Sequence, residues 1–215
     1  MKNLFFSALL IALFQVSNAQ VKFGLFGGPQ ITSSKYLING KKQSNTPKYG
    51  FQLGGTFKVA FDNKLFFSPA AFYSLKGYNV KFNQPAYLPD TLSIDNNTTI
   101  HTFELAALLQ YDFSDLPDHF FIKFGPSLDF QLLGKEKFNR KNRTSAEQDM
   151  EYGFTRYGRY AANAIVNFGY ETKAGFIFSA QYTHGIASLN NADLGPGIFH
   201  RAVGIAIGKY LGKKK

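Results

Sequence analysis

The chain has 215 residues, with 24 Phe and 12 Tyr but no Trp and no Cys, and its 24 basic against 14 acidic residues give a formal net charge of +10. Without Cys, the fold must be stable without disulfides. The length suits one domain, and no Pro/Ser-rich or charge-rich linker divides the sequence, so we expect a single domain.

The first element is an apolar N-terminal segment. Leu4 to Val16 follows Lys2 and precedes Ser17, Asn18 and Ala19, which are small enough for a cleavage site. A run of about a dozen apolar residues is too short to cross a bilayer as a helix, so the pattern predicts a secretory signal peptide over residues 1–19. We expect cleavage after Ala19 and a mature domain over residues 20–215.

The basic excess is concentrated outside the apolar stretches, at Lys41–Lys42, at Lys135 to Arg143 and at Lys213 to Lys215. An exported chain is not expected to bind nucleic acid. These segments are therefore interpreted either as solvated loop charge or as a surface for anionic lipid head groups and polysaccharide phosphates.

Eight segments of the mature chain alternate between apolar and polar residues, which is typical of strands with two chemically different faces. In residues 120–132, Phe124 and Leu128 fall on one parity and Lys123 and Asp129 on the other. The predicted strands span 21–31, 49–61, 65–78, 101–113, 120–132, 160–170, 175–183 and 202–208.

The connections between these strands also alternate in length. Short turns are predicted at 62–64, 114–118 and 171–173, and long polar segments at 33–47, 81–99, 135–156 and 190–198. Short turns at one end and long loops at the other are typical of outer-membrane barrels. The prediction is an all-β fold, an eight-stranded antiparallel up-and-down transmembrane β-barrel in the bacterial outer membrane, with both termini at the periplasmic end.

A soluble, lipocalin-like carrier would also show eight amphipathic strands, so the composition of the two faces has to decide. The polar parity is mostly Gly, Ser, Thr, Gln and Asn rather than Lys and Glu, and the apolar parity is too bulky for an eight-stranded interior. We therefore expect the apolar face to contact lipid, with aromatic girdles at both interfaces. The girdle near the short turns is predicted to contain Phe61, Phe67, Tyr111, Phe113, Phe120 and Tyr170, and that near the long loops Tyr49, Tyr73, Tyr157 and Tyr160.

Charged residues on the polar parity are then expected to face the lumen. They are Lys22, Lys58, Lys76, Glu104, Asp112, Lys123, Asp129, Arg159 and Glu171. An unpaired buried charge costs several kcal/mol, so they should pair with one another. We predict a lumen charge network of Lys58, Glu104, Lys123, Asp129 and Arg159, centred on the last four. A conducting or proton-relay path through the same charges is the functional alternative.

The four His residues are the candidates for catalytic or metal chemistry. No two of them have a metal-ligand spacing together with a third acid, so neither a metal site nor a cofactor is predicted. The possible Ser/His arrangement is His184 with Ser188 or Ser179, oriented by an acid that the sequence does not reveal. Interfacial His residues near head groups are the simpler explanation, and the chain is predicted not to be an enzyme.

Several strand motifs together resemble a known family. They are Val21 to Gly28, Tyr49 to Gly55, Phe72 to Gly77, Phe103 to Leu105 and Phe124 to Pro126. In this order and spacing they are similar to the PorT-like outer-membrane β-barrel family of Bacteroidota. The resemblance implies an eight-stranded outer-membrane barrel in a family whose members mostly lack an assigned activity, although its namesake belongs to the type IX secretion machinery.

The sequence thus favours a structural, interaction or surface-display role with a side-chain-filled lumen. The expected partners are outer-membrane lipid and lipopolysaccharide, and envelope proteins that contact the segments 33–47, 81–99 and 135–156. The alternatives are a narrow channel or transporter, a lipid-modifying barrel enzyme, and a barrel associated with type IX secretion. Loops carry such functions, and these show no recognisable motif.

Overall fold

A computed structural model describes residues 21–83, 92–141 and 143–211. The predicted signal peptide over 1–19, the basic residues 213–215 and part of the segment 81–99 lie outside these residues. Twelve strands are formed within the described ranges. They are β1 (Lys22–Ile38), β2 (Lys41–Lys42), β3 (Ser44–Asp62), β4 (Leu65–Phe67), β5 (Ala70–Lys81), β6 (Ser93–Ala106), β7 (Leu109–Asp112), β8 (His119–Arg140), β9 (Ala146–Asp149), β10 (Tyr160–Glu171), β11 (Phe176–Gly185) and β12 (Gly197–Leu211).

The strands close into an antiparallel ring. Its order is β1, β12, β11, β10, β8, β6, β5 and β3, and β3 pairs back onto β1. Two of the eight strands of the ring are interrupted near the short turns. There, β4 occupies the same position in the ring as β5, and β7 occupies the same position as β6. Pro69, which has no N–H to donate to the ladder, lies in the first interruption. The predicted eight-stranded barrel is confirmed.

In the lower part of the barrel, next to the short turns, the apolar face points outward. On β8, Phe124 is 48% exposed while Asp129 is fully buried. Aromatic rings cover the outer wall near the short turns in one continuous series. Successive ring centroids of Tyr111, Phe113, Phe168, Phe120 and Tyr170 lie 4.9–6.4 Å apart. No helix in the described part of the chain is long and apolar enough to cross a membrane.

The strands continue well beyond their predicted upper ends, which corrects the extent of the predicted loops. Most of 33–47 is strand, because β1 and β2 are joined through Asn39 and Gly40, whose φ values of 49° and 74° suit a two-residue hairpin turn, and β3 begins at Ser44. Likewise, 93–99 belongs to β6 and much of 135–156 belongs to β8 and β9. The Asn-Gly pair is a sequence signal for this hairpin that the alternation pattern did not use.

The polarity of the two faces reverses in these upper extensions. On β8, Leu132 and Leu133 are exposed, but beyond them the outward residues are Lys135 and Lys137 and Phe138 is buried. Inside the upper barrel, a set of apolar side chains packs into one cluster, which we call the apolar cap. It consists of Tyr36, Ile38, Tyr78, Val80, Ile100, Met150, Ala161, Leu189 and Ile198. The reversal marks the upper edge of the exposed apolar band, which is the band expected to face lipid.

Candidate functional site in the lumen

The upper part of the lumen holds a buried ion cluster, here the upper charge cluster, made by Lys76, Glu104, Asp129 and Ser127. The Lys76 ammonium donates to Glu104 Oε2 at 2.9 Å and to Asp129 Oδ2 at 2.7 Å. The Ser127 hydroxyl donates to Glu104 Oε1 at 2.5 Å. Glu104 and Asp129 are directly opposite on β6 and β8, so the ammonium offsets a repulsion between two neighbouring carboxylates.

A second ion cluster, the lower charge cluster, lies at the end of the barrel next to the short turns and contains Lys58, Asp112, His119 and Glu171. The Lys58 ammonium donates to Asp112 Oδ2 and to Glu171 Oε2, each at 2.6 Å, and lies 3.4 Å from His119 Nε2. His119 Nδ1 donates to the Leu116 carbonyl oxygen at 2.8 Å, and Nε2 lies 3.0 Å from Asp112 Oδ2. The ammonium is therefore surrounded by two carboxylates and an imidazole.

The three side chains around this ammonium also form a set of potential metal ligands. Asp112, His119 and Glu171 are buried, and their ligand atoms lie within 4.8 Å of one another. They come from three different segments of the chain, so no local spacing in the sequence could reveal them. In this structure the Lys58 ammonium contacts all three, and the half-exposed Lys22 ammonium donates to the other oxygen of Glu171, Oε1, at 3.0 Å.

The residues of the predicted lumen network are therefore distributed over different places. Glu104 and Asp129 meet on Lys76, which the predicted network omitted, and Lys58 belongs to the lower charge cluster. Lys123 is buried between the two clusters and donates to Ser68 Oγ at 2.9 Å. Among the described residues, no carboxylate lies within 4.0 Å of its ammonium.

The structure places the fifth residue of that network, Arg159, outside the lumen. It precedes the first residue of β10, so the alternation of that strand does not fix its direction. Arg159 is exposed, and its guanidinium lies 4.9 Å from the ring centroid of Tyr152, a half-buried residue that packs against the apolar cap. The guanidinium donates to the carbonyl oxygen of Gln131 at 3.4 Å.

Between the two charge clusters the lumen is filled by amides and hydroxyls. Gln30 Nε2 donates to Ser74 Oγ at 2.7 Å, and Gln181 Nε2 donates to Gln52 Oε1 at 3.2 Å. A void of about 30 Å³ beside Lys123 has room for one or two water molecules. A wider vestibule of about 460 Å³ opens below the lower charge cluster. The apolar cap lies above all these layers.

The possible Ser/His arrangement is not assembled. His184 is exposed on the outer wall, where Nδ1 shares a hydrogen bond with the Tyr182 hydroxyl at 3.0 Å. Ser179 is five positions earlier on the same strand and therefore points to the opposite face. Ser188 bonds the backbone of Asn190 and Ile198.

The upper barrel contains a buried acid that sequence reasoning missed. Glu136 accepts hydrogen bonds from Tyr157 Oη at 2.6 Å, Asn96 Nδ2 at 2.9 Å and Gln148 Nε2 at 3.4 Å. Burial raises the pKa of this carboxyl above its usual range, and the three donors partly oppose that shift. Tyr157, predicted for the upper girdle, instead points toward this acid and packs against the apolar cap.

Comparisons with known proteins were made with both the sequence and the fold. A family model described as "outer membrane protein beta-barrel domain" matches residues 15–191. No curated protein sequence matches the chain.

Three similar solved structures have TM-scores below 0.5. Ail of Yersinia pestis, solved with a heparin analogue, has a TM-score of 0.46 at 12% identity, covering 89% of this chain and 99% of that one. OprG of Pseudomonas aeruginosa scores 0.45 at 15% identity, covering 92% and 99%. Neisserial surface protein A scores 0.44 at 11% identity, covering 88% and 97%.

Proposed function

Because the chain belongs to the outer membrane protein beta-barrel domain family and is thus an integral protein of the bacterial outer membrane, we propose that it acts there as a closed scaffold. It functions through contacts made by its outer wall and its extracellular end, and not through transport of a solute along the lumen. The proposed partners are outer-membrane lipid and lipopolysaccharide, together with envelope proteins that contact the upper barrel.

The observation that supports a closed scaffold is the stack of side chains along the barrel axis. From the short turns upward, the lumen contains the lower charge cluster, then the layer of amides and hydroxyls, then the upper charge cluster and finally the apolar cap. Eight strands leave an interior only wide enough for side chains to fill. The charges of the two clusters hold one another through short ion pairs, so they act as a plug and not as a conduit.

Several finer assignments belong to the same proposal. We place the chain with the PorT-like barrels of Bacteroidota, on the strand motifs quoted above, and propose that residues 1–19 are removed as a signal peptide. We propose no catalytic role, since His184 and its two candidate serines lie apart. A role in type IX secretion is not proposed, because the shared motifs belong to the barrel wall.

The test is conductance in planar lipid bilayers. The refolded protein, whose insertion is verified by the heat-dependent shift of its electrophoretic band, is expected to leave the bilayer current at its baseline value at every holding potential. The heat-unfolded chain is the matched control. Reproducible single-channel steps that appear with the folded form and are absent with the unfolded form would identify a channel and contradict the closed scaffold.

A further inference from the structure

A groove of about 800 Å³ runs along the outer wall where the lipid-facing band ends. It lies beside β6, β8 and β9 and the segment that leads into β10. Its lining combines exposed leucines with basic side chains. The lining residues used below are Lys48, Leu132, Leu133, Lys135, Lys137 and Arg159.

The groove arises from an irregularity in the barrel wall. β10 pairs with β8 only as far as Phe130, and β9 pairs with β8 only from Lys135 upward. In between, β8 carries a bulge, because Thr102 pairs with Gln131 but His101 with Leu133. The extra residue leaves both Leu132 and Leu133 on the outer surface, 47% and 68% exposed.

The basic side chains of the groove have few anionic partners within the protein. Lys135 and Lys137 stand directly opposite Asp149 and Glu147 on β9. Nevertheless, within the described ranges neither ammonium has a carboxylate within 4.0 Å, and nor does the Arg159 guanidinium. Arg159 is held over the ring of Tyr152. These three cations remain available to an external anion.

The fourth cation of the groove, Lys48, is held in place by hydrogen bonds to residues of β6. The Lys48 ammonium donates to Asn97 Oδ1 at 2.6 Å, to Thr99 Oγ1 at 2.6 Å and to the Thr98 carbonyl oxygen at 3.1 Å. It adds positive potential at the edge of the groove. Four cations therefore face the exposed carboxylates of Glu147 and Asp149 and the buried carboxyl of Glu136, so cations still outnumber acids and the groove favours an anion.

We propose that this groove binds the phosphate group of an anionic lipid of the outer leaflet. Lys135 and Arg159 contact the phosphate, and an acyl chain covers Leu132 and Leu133. The proposal rests on the outer-membrane placement in the proposed function and names one lipid site within it. A lipid suits this position better than a soluble anion, because the exposed leucines are continuous with the lipid-facing band.

The test uses native mass spectrometry of the folded, full-length mature protein in detergent micelles with Mg²⁺ present. The probes are diphosphoryl lipid A and the same lipid A after removal of its phosphates. The variant is Lys135→Gln/Arg159→Gln. We expect it to bind diphosphoryl lipid A at least about tenfold more weakly than wild type, as the loss of charge-assisted hydrogen bonds implies.

The matched control is Lys35→Gln/Arg201→Gln, which removes the same two residue types from β1 and β12 in the upper barrel. It should bind lipid A like wild type, and the dephosphorylated probe should bind weakly to all forms. Equal losses of lipid A affinity in both double variants would overturn the site. So would equal binding of the phosphorylated and the dephosphorylated probe, or competition by inorganic phosphate at the same concentration as lipid A. A heat-dependent band shift in each sample tests the barrel itself, so a failed lipid site is distinguishable from a failed scaffold.

Discussion

Lys76→Met is expected to lower the unfolding free energy of the barrel by about 3–5 kcal/mol. The substitution removes the only ammonium that contacts both Glu104 and Asp129 among the described residues, and it leaves two facing carboxylates buried without a counter-ion. The measurement is the urea midpoint of folding into short-chain phosphatidylcholine vesicles, followed by the heat-dependent band shift. The chain has no Trp, so the band shift is preferred to fluorescence.

The matched control for this prediction is Lys123→Met. This lysine is also buried in the lumen, but its nearest hydrogen-bond partner is the Ser68 hydroxyl and not a carboxylate. Its replacement removes a desolvated charge and leaves no carboxylate without a counter-ion, so the unfolding free energy should stay within about 1 kcal/mol of wild type or rise. Neutralising the acids as well, in Lys76→Met/Glu104→Gln/Asp129→Asn, should restore most of the loss. Equal effects of the two single variants would refute the ion cluster.

Lys58→Met is expected to produce a loss of similar size that Zn²⁺ reverses. Without the ammonium, Asp112, His119 and Glu171 keep their buried ligand atoms within 4.8 Å of one another, which suits a Zn²⁺ ion with an open fourth position. The bond of His119 Nδ1 to the Leu116 carbonyl already orients the ring. At a zinc concentration a hundredfold above Kd, binding adds about 2.7 kcal/mol to stability.

Urea titrations of this variant with EDTA and with Zn²⁺ measure the effect. Wild type should not respond to Zn²⁺, since the Lys58 ammonium contacts all three ligands. Lys76→Met should also not respond, because the upper charge cluster contains no His. Lys58→Met/His119→Gln should lose the recovery. An unchanged midpoint of Lys58→Met in Zn²⁺ would mean that the three side chains are not held as the structure places them.

The lower barrel could be predicted because each of its strands lies between lipid and the packed lumen, so apolar and polar side chains alternate along it with a period of two. The alternation in residues 120–132 placed Phe124 outward and Asp129 inward, as observed. The upper barrel was not predictable in the same way. Its alternation continues, but water replaces lipid outside and the apolar cap replaces polar side chains inside, so a search for one constant apolar parity stops at the membrane boundary.

The pairing within the lumen could be predicted only in part. Parity identified most of the inward charges, although it placed Arg159 wrongly and missed Glu136. The choice of partners depends on the register between strands that are distant in sequence. Glu104 opposes Asp129 because β6 and β8 pair in one particular register that includes a bulge. The meeting of Lys58 with Glu171, 113 positions away, requires the closed ring. Neither relation is contained in local spacing.

Thiol accessibility tests the central claim, a lipid-embedded wall around a closed lumen, most directly. The chain has no native Cys, so single cysteines can replace Lys137 above the membrane, Phe124 on the lipid face and Thr102 in the lumen. In vesicles, a charged, water-soluble thiol reagent should modify only the variant at Lys137. A lipid-soluble maleimide should reach the variant at Phe124, and the variant at Thr102 should react only after unfolding. Rapid modification of the Thr102 variant by the water-soluble reagent in the folded protein would contradict the closed lumen, and modification of the Phe124 variant by that reagent would contradict the lipid-facing wall.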